Sequence, residues 1–276
     1  MRQCEIRLTR PSWRYSRVRR LANNTLALTA GSSRTLGEIF PAVEHIRRFN
    51  LRTDIARTYL SSADSHLASM AITYVLAIHE DFVMSTIAFV RSEGIAVAAP
   101  NRRGVKAWNM HATLFGALGY QPPADWVEIF HLLRLMRNSV VHAGGRAQQD
   151  LVAHISNISN AAIQLWRKLG NQAPNSVVQN GEVQLFAEHI FSALAVIKRM
   201  GREINSALTS AIHRQSWAKI CVHDYQQVTT KIRNSRSWRR SLIGYANFFY
   251  GPLKLSSGDL ETAARSLGLW TPVQWE

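Results

Sequence analysis

Apolar residues along this chain recur every three or four positions and almost nowhere alternate, so the pattern predicts helices rather than half-buried strands. "SSRTLGEIFPAVEHIRRF" reads as a short helix interrupted near Pro41. A long helix follows over 62–92, its core face drawn by Leu67, Met70, Tyr74, Ile78, Phe82 and Phe89 and its end by Gly94. "AAPNRRG" is a loop, and a helix over 105–118 ends at Gly119. After "GYQPPADW", with Asp125 in the N-cap position, a helix runs over 126–142 and stops before Gly144 and Gly145. Further helices are predicted over 150–169 and 183–208, separated by the polar loop "GNQAPNSVVQNGE". Four to five long helices with short connections imply an all-α bundle, and no internal repeat interrupts it.

Beyond Ala211 the pattern weakens. "SSGDLETAARSLGLW" has the capping and stop signals of a short helix, the first half of a helix-turn-helix whose recognition helix has no sequence left to form it. The organisation expected is a basic arm with a short helix over 1–50, a bundle over 51–210, and a basic appendage over 211–276.

Charge changes this picture. Of 276 residues, 33 are Lys or Arg against 18 Asp or Glu, for a net charge of +15. Such a surplus favours polyanions. The opening "MRQCEIRLTRPSWRYSRVRR" is Arg-rich and nearly free of acids, as transit peptides are; no apolar stretch follows, so secretion is not expected, and a nucleic-acid-binding arm is the preferred reading. "KIRNSRSWRR" sets Arg233, Arg236, Arg239 and Arg240 around Trp238. Either a base stacks on that Trp between phosphate-binding guanidiniums, or the Trp anchors a solvated charged stretch. The most apolar window, 67–78, is broken by His79, Glu80 and Asp81 and is too short to span a bilayer, so no membrane role is expected. Cys4 and Cys221 suit a reducing, cytoplasmic setting. "HEDFV" lacks the second His of a zincin, "CVHD" over 221–224 is better read as packing than as metal ligands, and no cofactor is expected.

The sharpest chemistry lies in "LLRLMRNSVVHAGG". At 100° per residue, Ile129, Leu133, Met136 and Val140 share one face, while His131, Arg134, Asn138 and His142 form a polar stripe with Arg137 on its flank. Arg137 and His142 diverge by about 140° in a regular helix, and only fraying of the last turn would bring them closer. A helix C-terminus favours a cation and a guanidinium disfavours one, so the two act in opposition on an imidazole placed there, a balance that suits a general acid or base. An imidazole beside a phosphate-binding Arg suffices for RNA cleavage by the 2′-hydroxyl without a metal.

"RNSVVHAGG" resembles the R-N-x-x-x-H signature of HEPN domains, helical bundles common in bacterial toxins, phage defence and CRISPR nucleases. The resemblance covers residues 62–208 and extends to "SMAITYVLAIHEDFVMSTI", which is similar to the family's first long helix. It implies a metal-independent endoribonuclease site of Arg137, Asn138 and His142, with Glu80 as acidic helper. The wheel instead sets Asp81 nearer the apolar face. Arg134 would line the RNA path. A symmetric homodimer is implied, pairing two copies of the motif helix, with an antitoxin or defence protein as a possible further partner. Some family members keep the fold without the activity, so a module binding nucleic acid or a partner protein is the alternative.

Overall fold

A computed structural model describes residues 21–22, 24–29, 31–49, 51–98, 104–170 and 172–271. The basic arm over 1–20, with Cys4, lies outside the described residues. The fold is all-α. After single turns at Leu36–Ile39 and Ile46–Phe49, the helices are α1 (Thr53–Ser92), α2 (Met110–Ala117), α3 (Ala124–Ala143), α4 (Gln149–Asn157), α5 (Asn160–Gly170), α6 (Ala187–Ala211), α7 (Arg214–Val228), α8 (Arg236–Phe249) and α9 (Ser257–Ser266).

Several expectations change, beginning with the starts of α1 at Thr53 rather than 62 and of α2 at Met110 rather than 105. The helix over 150–169 is two helices, because Ser159 caps a new start: its hydroxyl accepts from Ala162 N at 3.2 Å, while its own N–H is taken by Glu128 of α3 at 2.8 Å. The segment 178–183 is a hairpin, β1 (Val178–Gln179) paired antiparallel with β2 (Glu182–Val183), so α6 begins at Ala187 rather than near 183. Asn180 and Gly181, at φ 52° and 79°, make the tight two-residue turn that Asn-Gly favours. Finally, α3 begins at Ala124, so Asp125 sits inside its first turn, not as its cap.

The chain divides into two compact units that do not follow chain order. Among the described residues, one comprises 21–79 with 124–198, the other 80–123 with 199–271. In the first, α3 buries Ile129, Phe130, Leu132, Leu133 and Met136 and packs against α4 and α5. The first half of α1 belongs here, and it buries Ala68, Ile72, Leu76 and His79. The stripe expected to face the core points out instead: Leu67, Met70, Tyr74 and Ile78 are 50%, 72%, 69% and 51% exposed. Two faces of this helix have helical apolar spacing, and the one with the smaller side chains is buried. With the wheel turned, Asp81 is exposed and Glu80 half-buried, the reverse of the sequence expectation. Among the described residues, α1 is also a helix long and apolar enough to cross a membrane by length and composition, although the sequence window looked too short.

In the second unit, residues beyond Ala211 build more than an appendage. Helices α7, α8 and α9 enclose their own core of Cys221, Val222, Tyr225, Trp238, Leu242, Leu255, Leu260 and Ala263. The helix foreseen in "SSGDLETAARSLGLW" is α9, opened by a capping box in which Ser256 and Asp259 exchange hydrogen bonds. Arg214 of α7 binds the same Asp259 carboxylate at 2.8 Å. Phe89 of α1 meets Trp217 of α7 with ring centroids 5.9 Å apart, joining this core to the rest of its unit.

Candidate functional site

The motif sits on α3, where three of the four residues the wheel assigned to the core (Ile129, Leu133 and Met136) are buried and Val140 is half-buried, with Phe130, Leu132, Leu135 and Ser139 also inside. This wide core face fixes the rotation of the helix and therefore where its polar stripe points. His131, Arg134, Arg137 and Asn138 are half-buried and His142 is exposed.

The C-terminal end is fixed as well. Helical backbone continues through Ala143, so the last turn is not frayed, and Arg137 and His142 stay about 140° apart around the axis. The chain then reverses through Gly144 and Gly145, both at positive φ (60° and 90°), a conformation that disfavours any side chain. Gly145 N donates to Ser139 O at 3.0 Å, and the buried Ser139 hydroxyl accepts from Gln148 N at 3.3 Å. The loop is also stitched to the hairpin: Ala147 N donates to Gly181 O and Val183 N to Gly145 O, each at 2.8 Å. Among the described residues His142 makes no side-chain hydrogen bond, ion pair or ring contact, which leaves both ring nitrogens open.

About three turns back, His131 of the stripe pairs with a histidine of α4. His131 meets His154 of α4 edge-on at 6.5 Å, and Arg134 Nε donates to His131 Nδ1 at 3.4 Å. The bond from Arg134 requires Nδ1 to be unprotonated. Burial, then the charges of Arg134 and His154, push the His131 pKa down to about 4, so this imidazole is neutral at physiological pH. His154 Nε2 donates to Glu128 O at 2.9 Å, and the Glu128 side chain holds the start of α5. His131, His154 and Glu128 thereby lock α3 to α4 and α5. This pair was not singled out from sequence, although His131 was placed on the stripe; His154 is remote in the chain, and the His-to-His contact exists only once α4 folds back. Groups of three or more His, Cys, Asp or Glu able to hold a metal are absent among the described residues.

The other candidates fall elsewhere. Glu80 is half-buried on α1 and belongs to the second unit, whereas the motif belongs to the first. In the tail, Arg233, Arg236 and Arg240 are exposed. Trp238 is 0% exposed at the centre of the tail core, so its ring is closed to a base and the anchoring reading holds. Arg239 is committed internally: its guanidinium lies 4.5 Å from the Trp270 ring centroid and donates to Asn234 Oδ1 and to Thr271 O. The basic run was legible, but the 0% exposure of Trp238 depends on α7 and α9 closing around it. In "CVHD", Cys221 is buried in that core and Asp224 accepts a hydrogen bond from the Tyr250 hydroxyl. No family model matches this chain, and no curated protein or solved structure matches it.

Proposed function

We propose that this chain is a HEPN-like, metal-independent endoribonuclease that acts in the cytoplasm, in a toxin or anti-phage defence role. The observation that supports the reading is the end of α3. A half-buried Arg137–Asn138 pair and an exposed His142 without a partner among the described residues stand on a helix whose core face and terminal loop are both fixed. Catalytic groups work best when their supports do not move, and an imidazole with no structural task is free for proton transfer.

In the proposed reaction the ribose 2′-hydroxyl attacks the adjacent phosphorus and the bond to the 5′-oxygen breaks. The products are a 2′,3′-cyclic phosphate and a 5′-hydroxyl. One imidazole takes the 2′-hydroxyl proton and another, as imidazolium, gives a proton to the leaving oxygen. Arg137 balances the charge gathering on the phosphoryl oxygens, since a guanidinium forks onto two of them. Each chain carries one His142, so two copies pairing along α3 supply both roles, with His142 of the partner subunit as the second. Asn138 and Arg134 would position the strand.

The test is cleavage of single-stranded RNA in EDTA. Arg137→Ala and His142→Ala are each expected to lower the rate by about 10²–10⁴ with an unchanged circular dichroism spectrum. A substrate with 2′-deoxyribose at the cut should be inert. Mixing in His142→Ala chains should lower the activity of native chains by more than dilution alone, because a mixed pair holds one imidazole where two are needed; a fully active monomer ends the paired arrangement. Cleavage that needs added metal, or DNA cut at a comparable rate, overturns the mechanism.

A second reading, a non-enzymatic module that binds a partner protein such as an antitoxin, is favoured by the outward face of α1. Ile55, Tyr59, Leu67, Met70, Tyr74 and Ile78 are all exposed there. Together they present on the order of 600 Å² of largely apolar surface, the scale at which exposed patches mark interaction sites. Partner capture that survives His142→Ala, without RNA cleavage by the native chain, would select this reading.

A further inference from the structure

With Trp238 buried, the tail presents a different aromatic to solvent. Helix α8 turns Trp238, Leu242 and Ala246 inward. Of its exposed positions, Arg236, Ser237, Arg240, Gly244, Asn247 and Phe248 fall at 100° per residue within an arc of about 120°, and Phe249 lies about 100° beyond it. That face carries two guanidiniums and no carboxylate. Between 211 and 271 there are nine Lys or Arg and three carboxylates, and each carboxylate is engaged. Asp224 accepts from the Tyr250 hydroxyl, Asp259 binds Arg214, and Glu261 binds Arg265. Arg233, Arg236 and Arg240 have no acidic partner among the described residues, and they sit together at the start of α8.

Two further features share this face. Phe248 is 79% exposed, and its ring is backed edge-on by Phe249 at 4.7 Å, which in turn rests on Tyr245 at 4.6 Å. The side chain is therefore a supported shelf. Between Arg240 and Phe248 lies Gly244, where a Cβ would meet nothing within 4 Å. Glycine inside a helix is unfavourable relative to alanine, and no packing within this chain requires it here. It leaves a shallow saddle over which another backbone can lie close to the helix.

We propose that this face of α8 binds single-stranded nucleic acid, with Arg236 and Arg240 taking phosphates, the strand crossing Gly244, and an unpaired base stacking on Phe248. Arg240 and Phe248 are eight residues apart, about 12 Å along the axis, so phosphate grip and base shelf sit at separate points of one path. A duplex hides its base faces and gains only the cationic part, whereas single strands gain the stacking as well. An anionic membrane is the poorer fit, because Ser237, Gly244 and Asn247 interrupt the apolar surface that such binding needs. The proposal is independent of cleavage at Arg137 and His142.

The experiment uses the full chain and a fluorescein-labelled single-stranded DNA 15-mer, which lacks the 2′-hydroxyl and cannot be cut by the proposed route. Anisotropy is read across a salt series. Phe248→Ala is expected to weaken binding by about five- to a hundred-fold, and Phe248→Trp to restore it. Gly244→Leu should weaken binding while keeping the helix, checked by circular dichroism. Arg236→Gln with Arg240→Gln should flatten the slope of log K against log salt by about 1.4, roughly 0.7 for each lost phosphate contact. A duplex of the same sequence should bind more weakly. Wild-type affinity in Phe248→Ala, equal affinity for duplex, or binding to phosphatidylserine vesicles without binding to the oligonucleotide would each overturn the proposal.

Discussion

The first half of α1 and the tail helix α8 reverse what their compositions suggest. The stretch 65–78 has no Lys, Arg, Asp or Glu, yet Leu67, Met70, Tyr74 and Ile78 are half to three-quarters exposed. The stretch 231–240 has five Lys or Arg, yet it holds Trp238 at 0% exposure. Apolar character makes a side chain eligible for burial, but burial itself depends on what other elements bring against it. On α1 the eligible face lost to a neighbouring one of Ala68, Ile72 and Leu76, whose smaller side chains bury completely. In the tail, three helices enclose one large aromatic, and the surrounding Arg residues remain at the rim.

The largest effect that sharpens this contrast is expected at Trp238. Trp238→Ala empties the centre of the tail core and should cost about 3–5 kcal/mol of stability, against less than about 1 kcal/mol for Tyr74→Ala. Urea unfolding followed at 222 nm measures both. Equal losses would mean that the outward face of α1 is covered after all.

The buried face of α1 supplies the next. Burial lowers the His79 pKa to about 4 from its ordinary 6.5. A His with a depressed folded pKa favours the folded state fully above pH 6.5, and that contribution fades as pH falls from 6.5 towards 4. The loss is about 3 kcal/mol in all, from 1.36 kcal/mol per pH unit. His131 titrates in the same direction. His79→Leu should therefore flatten the stability profile between pH 6.5 and 4, measured as urea midpoints; an unchanged slope would place His79 in water with the outward stripe.

The smallest effect is expected on that stripe. Met70→Gln with Tyr74→Gln should leave stability within about 0.5 kcal/mol of the parent, as exposed substitutions do. Calorimetry at two protein concentrations reads this. A larger loss that grows with concentration would show a second copy packed against α1.

Much of the fold and part of the site were legible in the chain. The helical period, the stops at Gly94, Gly119 and Gly144, and the cap of α9 all arise from local chemistry, so they could be read residue by residue. The Asn-Gly turn of the hairpin carried a local signal too, hidden within a polar stretch read as loop. The split between α4 and α5 was harder, because Ser159 becomes a start only when Glu128, 31 residues away, takes its N–H. In the site, the alignment of Arg134, Asn138 and His142 follows from helix geometry alone. The neutral state of His131 needed the approach of His154 and the burial that comes with it.

The sequence by itself determined that this protein is helical, strongly cationic, and furnished with an Arg, an Asn and a His at the end of an amphipathic helix. Periodicity, net charge and glycine stops are properties of residues and their near neighbours, and they hold wherever the segment goes. Tertiary structure decided which face of α1 is inside, that Trp238 is core while Phe248 meets solvent, and that residues 199–271 share a unit with 80–123 rather than trailing a bundle. Those outcomes turn on burial and long-range contact, which belong to pairs of segments and come into being only when distant parts of the chain meet.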